Sequence, residues 1–307
     1  MEWSIQLYSK NRFSKKLMGF AKPMQNIQDW ITQQWVITTG KKIDPTAYSW
    51  IIGPFGENNV SGNKFITELA AKEKLTIIQS DRNTGLLPSI NKLKLSENEL
   101  AKLSQQIIDF YEKTSNYDFE FTVKWNSMFK VFGILISSLF SSRLGQLNLP
   151  TNNSIAFQKL RSEIITLVES ESNETKYTCW LRYIQSSDQP IYSGIYGVST
   201  LPSGKRCIKA IFPLPNGNAT VLMTPRVSNN GELILESSGN RFGEAGLYFL
   251  LKDAKGKYWT KYIKSFHDCL HVKAVNNILL AEQVLTLWGK EVLRFNYKIQ
   301  LNKLKEN

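Results

Sequence analysis

Both histidines of the 307-residue chain, His267 and His271, lie in the stretch KSFHDCLHVK, with Cys269 midway between them. On a helix, His-Asp-x-x-His would set two imidazoles one turn apart beside a carboxylate, the arrangement of a zincin metal site. Two features oppose that reading. Asp is one methylene shorter than the Glu of such sites, and the flanking KYWTKYIK and VKAV are strand-forming. On a strand, His267, Cys269 and His271 project to one face, with Phe266, Leu270 and Val272 on the other. Alternate strand residues lie about 6.6 Å apart, so the three groups span too far to clamp one ion. No metal and no cofactor is therefore assigned. What remains is a polar strand face bearing two imidazoles, the side-chain type suited to acid–base work at neutral pH. That makes His267 and His271 candidate catalytic acid–base groups wherever the face lines a cavity.

A second set of candidates sits inside other strand-like runs: Arg182, Arg226 and Arg294, with Tyr192 and Tyr196. Inside a closed barrel these side chains would give fixed donors for an acidic group, while aliphatic neighbours accept an apolar tail. Pointing to water, they would be ordinary solvated surface. The glycines of SSGNRFGEAGLYF, with Arg241 among them, follow neither the Rossmann nor the P-loop spacing and lead into an apolar strand. A connecting loop or bulge is the expected reading.

The elements that would position these groups change character near residue 173. Before it, helical punctuation dominates. Ser96 and Glu99 have capping-box spacing in LSENELAKLSQQIIDFYEKTS, and Leu100, Leu103, Ile107, Phe110 and Tyr111 fall near one helical face. MFKVFGILISSLFSSRLG, and SIAFQKLRSEIITLVES with Ser154 as cap, read as two further helices. After residue 173, LPSGK, LPNGN, SNNGE, DAKGK, VNN and WGK punctuate strand-like runs as hairpin turns. In EVLRFNYKI, Leu293, Phe295, Tyr297 and Ile299 face one way and Val292, Arg294, Asn296 and Lys298 the other. In KRCIKAIF, Ile208, Ala210 and Phe212 oppose Lys205, Cys207 and Lys209. The expectation is an α+β protein in two parts. Residues 1–172 form a mainly helical N-terminal region, and residues 173–307 an antiparallel β-meander of roughly eight or nine strands closing into a barrel or strongly curved sheet.

Composition sets the surroundings. Lys and Arg outnumber Asp and Glu by 38 to 26, a net charge of +12 that disposes the surface toward anions. The basic residues are spread along the chain, so specific nucleic-acid binding is not expected, while an anionic membrane surface stays open as a partner. Three widely spaced cysteines form no disulfide framework, and the start of the chain makes a poor signal peptide. The most apolar run, VFGILISSLF, is about half a bilayer span. These features point to a cytoplasmic chain without a transmembrane segment.

The stretches DFYEKTSNYDF, SRLGQLNLP, FPLPNGNATV, RFGEAGLYF and LTLWGKEVLRFNYKI together resemble an uncharacterised family of bacterial proteins without an assigned activity. That resemblance carries over no functional residue. By pattern the meander is similar to lipocalin-like and fatty-acid-binding-like barrels, which implies a lipophilic ligand. The leading expectation is thus a barrel cavity binding a small, partly apolar, acidic ligand of lipid-like character. The alternatives are an enzyme using that cavity with a histidine acid or base, and a peripheral binder of membranes or nucleic acid.

Overall fold

The computed structural model describes residues 19–23, 27–56, 62–79, 83–126, 129, 157–188 and 194–302. The first part contributes α1 (Ile27–Thr39), β1 (Lys41–Ile43), α2 (Gly62–Glu73), β2 (Leu75–Gln79), α3 (Glu97–Lys102), α4 (Gln105–Glu112), β3 (Tyr117–Trp125) and β4 (Gln158–Glu169). Then come β5 (Thr175–Ile184), β6 (Gly194–Thr200), β7 (Arg206–Leu214), β8 (Gly217–Val227), β9 (Leu233–Glu236) and β10 (Gly246–Lys252). The last four strands are β11 (Tyr258–Ile263), β12 (Phe266–Val275), β13 (Ile278–Leu287) and β14 (Lys290–Leu301).

Ten of these strands close into an antiparallel ring in the order β3, β14, β13, β12, β9, β8, β7, β6, β5, β4 and back to β3. The closure is possible because β8 divides its pairing: Gly217–Leu222 pair with β10, while Thr224–Val227 pair with β9. β10, β11 and β1 continue outward from the ring as a side sheet. All six turn signals become hairpin turns, each holding a positive φ at Gly204, Asn216, Gly231, Gly256, Asn276 with Asn277, or Trp288 with Gly289. Asn and Gly tolerate that left-handed backbone, which is why the turns were readable.

Alternation along the strands decides what faces inward. Phe119, Phe121, Trp180, Ile208, Val221, Leu235, Val272, Leu279, Phe295 and Ile299 share one buried interior. The mixed faces point outward, some to solvent and some under helices. Phe65, Ile66 and Leu69 of α2 cover Leu167, Cys179, Leu181 and Ile195. Val36 and Ile37 of α1 cover Leu251 and Trp259 of the side sheet.

One end of the ring is filled by residues 83–116. Leu86, Leu87, Ile107, Phe110 and Tyr111 belong to the same buried cluster as the strand interiors. Its polar anchors all lie at that one end. Arg206 Nε donates to Lys92 O (3.1 Å), the Ser104 amide to Gly231 O (3.1 Å), Gln106 Nε2 to Asn277 Oδ1 (3.2 Å), and the Asn302 amide to Asn116 O (2.9 Å). The capping box of Ser96 and Glu99 is complete, but the expected single helix is broken after Lys102, where the Ser104 amide turns to the β8–β9 hairpin.

One expectation holds only loosely and one is corrected. Every α-helix among the described residues lies in the N-terminal half, but β3 and β4 there are barrel staves, and residue 172 falls in the turn between paired β4 and β5. The segment SIAFQKLRSEIITLVES carries helical punctuation, yet its Gln158–Glu169 is the strand β4 and not a helix. Its run of Ile164, Ile165, Thr166, Leu167 and Val168 buries both faces, so the period-two signal is erased. Ser154 and nearly all of MFKVFGILISSLFSSRLG lie outside the described residues.

The β13–β14 turn yields a prediction. Trp288 takes the first positive φ (51°) of a two-residue turn, a conformation that costs a bulky residue about 1 kcal/mol. Trp288→Asn should therefore raise stability by about 1 kcal/mol, seen as a higher urea midpoint at unchanged slope.

Candidate functional site

Three polar side chains cross the apolar wall on neighbouring strands. Inside a barrel, a diagonal step of two residues brings side chains of adjacent strands together. Leu270 of β12 lies opposite Gln283 of β13, so Asp268 is diagonal to Gln283, and Tyr297 of β14, opposite Ala281, is diagonal to it as well. Gln283 Nε2 accordingly donates to both carboxylate oxygens of Asp268, at 3.0 and 2.8 Å. From across the lumen, Arg182 of β5 reaches the Tyr297 hydroxyl. Its guanidinium lies 4.0 Å from the centroid of the Trp180 ring, and Trp180 packs against Tyr196 of β6 at 5.4 Å.

The surroundings set the chemistry. Arg182 is 5% exposed and Asp268 4%. Burial pushes the Asp268 carboxyl up to about 7, with the bonds from Gln283 pulling the other way. Burial also raises the Tyr297 phenol, opposed by the Arg182 charge beside it. These groups border a lumen cavity of about 70 Å³ whose other walls include Phe119, Ile208, Val221, Leu235 and Leu270. The site therefore offers one permanent cation, one carboxyl poised between its two forms, an amide and phenol hydroxyls in an apolar shell. That combination fixes the orientation of a small ligand, and the poised carboxyl can also exchange a proton.

Of the residues singled out in the sequence, Arg182 and Tyr196 meet in the lumen. Arg226 faces outward in a two-bond pair with Glu236 at 3.1 and 3.0 Å. Arg294, also outward, is held by Glu291 and Glu282. Tyr192 lies outside the described residues. His267, Cys269 and His271 do share one face of β12, but the lumen takes Asp268, Leu270 and Val272, so neither imidazole borders the cavity. His271 Nε2 instead lies 3.0 Å from Glu232 Oε2. Among the described residues, no group of three His, Cys, Asp or Glu side chains is placed to hold a metal ion. Asp268 and Gln283 were missed, although both carry a signal. Each is a polar residue in step with an apolar face: Asp268 with Phe266 and Leu270, Gln283 with Leu279, Ala281 and Leu285.

Comparison with known proteins adds one relative. The chain is 24% identical over 270 residues to the uncharacterized membrane protein YndJ of Bacillus subtilis (strain 168), covering 86% of this chain and 46% of that protein. It thus spans about half the length of the curated relative it matches. That relative has no assigned activity in its name. No family model matches the chain, and no solved structure matches it. Among the described residues, no helix is long and apolar enough to cross a membrane.

A buried carboxyl that titrates late leaves a thermodynamic mark. Because the folded value is raised, the unfolded chain releases its proton first, and stability falls as pH climbs from about 4 toward about 7. Asp268→Asn removes that slope and keeps a partner for Gln283. Urea unfolding of both proteins at pH 5 and pH 8 should show the variant gaining about 2 kcal/mol on the parent between the two.

Proposed function

We propose that the barrel binds a small, partly apolar organic acid in its lumen. The observation that carries this reading is the convergence of Arg182, Asp268, Gln283, Tyr196 and Tyr297 on one cavity in an otherwise apolar interior. A guanidinium donates to a carboxylate through charge-assisted bonds, and a protonated Asp268 adds a further donor. Ile208, Val221, Met223 and Leu235 then receive the apolar remainder. Size favours a short acid over a long acyl chain. About 70 Å³ holds a handful of waters or a ligand of a few heavy atoms while residues 83–116 fill the end of the ring. The three cysteines are free, two of them buried, which favours a reducing compartment, and we place the barrel in the cytoplasm on that ground.

Calorimetric titration with butanoate, hexanoate and benzoate tests the proposal. Asp268 donates a hydrogen bond only below about 7, and above it the ionised group repels the ligand. Affinity should thus fall about tenfold from pH 6 to pH 8, and Arg182→Met should lose about thirtyfold at either pH. Heats absent for all three acids, or unaltered in a folded Arg182→Met variant, would sink the reading. A second reading, proton-transfer catalysis, is favoured by the same poised carboxyl. It moves the acid–base role from the outward histidines to Asp268.

A further inference from the structure

Helix α1 inverts the usual arrangement of a surface helix, which turns polar side chains to water. At 100° per residue, positions 27, 30, 31, 34, 35 and 38 form its outer face: Ile27, Trp30, Ile31, Gln34, Trp35 and Thr38. Ile27 is 71% exposed and Ile31 56%, with Trp30 and Trp35 above 40%. No charge interrupts this face. The helix has a single charged residue, Asp29, which lies on the opposite side against Gln33, Pro215 and Asn218. Phe20, 53% exposed, extends the patch, because the Ala21 amide binds Gln34 Oε1 and sets residues 19–21 alongside the helix.

The rim of the patch is basic. The Phe20 carbonyl accepts from the Ala254 amide, which brings the β10–β11 turn with exposed Lys255 and Lys257 beside it. Lys261 donates to Thr39 O at the helix end and lies 5.8 Å from the Trp35 ring centroid. Exposed Lys42 of β1, opposite Trp259, lies on the face that α1 covers, whereas Lys41 turns to the other face, where its Nζ donates to the Tyr48 hydroxyl (2.6 Å). The one carboxylate in the turn, Asp253, is buried, bonded to Trp259 Nε1 and to the amides of Lys255 and Lys257. Two tryptophans and two isoleucines on a helix lying flat, rimmed by cations, match the chemistry of a lipid–water interface.

We propose that α1 docks the barrel on an anionic lipid bilayer. Its apolar face enters the headgroup boundary, and the lysines pair with lipid phosphates. A second copy of the chain fits less well, because a twofold contact here would bring the two lysine rims together.

Co-sedimentation with phosphatidylcholine vesicles, with and without phosphatidylglycerol, tests the proposal. The full chain should bind the anionic vesicles and leave pure phosphatidylcholine largely unbound, with binding weakened by added salt. Lys255→Gln with Lys257→Gln should lose about twenty-fivefold, near fivefold per lysine. Trp30→Ser with Ile31→Ser should lose about tenfold or more. All four side chains are exposed, so an unchanged thermal midpoint is expected and verifies the fold. The proposal is overturned by absent binding to anionic vesicles, or by variants that bind as the parent does. A concentration-dependent dimer abolished by the Trp30 and Ile31 changes would also overturn it, assigning the face to a second copy.

Discussion

The ring depends on four residues. β9, Leu233–Glu236, hydrogen-bonds β8 through Val227 opposite Leu233 and β12 through Val272 opposite Leu233, so this short strand joins the two margins of an otherwise open sheet. Without it, β8 and β12 would carry exposed edges, and the interior faces of the other nine strands would meet water along the gap. The β8–β9 turn that delivers these residues is also where the Ser104 amide binds Gly231 O. Closure of the wall and filling of its end are thus tied to one hairpin.

A closed wall changes the meaning of the polar groups inside it. In an open sheet Asp268 would ionise normally in water. In the lumen, beside Gln283 and walled by aliphatic side chains, it holds its proton to about 7. The same enclosure keeps Arg182 against Trp180 and Tyr297, where its charge is little screened. Such burial costs stability and returns none unless the groups satisfy one another or a ligand, which is the physical basis for reading them as a site.

What the sequence disclosed follows from how local each feature is. The turns at Asn216, Gly231 and Asn276 were legible because a positive φ restricts the residue type. The faces of β7 and β14 were legible because one side of each is apolar and the other carries lysine and arginine. β4 was not, since α2 covers its outer face and leaves both sides apolar. Closure through β9 is a pairing between distant segments that no local pattern records. In HDCLH the imidazoles mark the outward face, whereas the residue that marks the lumen is the carboxylate standing among Phe266, Leu270 and Val272.

A carbon-13 NMR titration of the aspartate side-chain carboxyls addresses the enclosed lumen most directly. One resonance should titrate near pH 7 in the parent chain and be missing from Asp268→Asn. If the resonance lost in Asp268→Asn titrated in the range of a carboxyl open to water, about 4, the account of a closed, ligand-binding barrel would be contradicted.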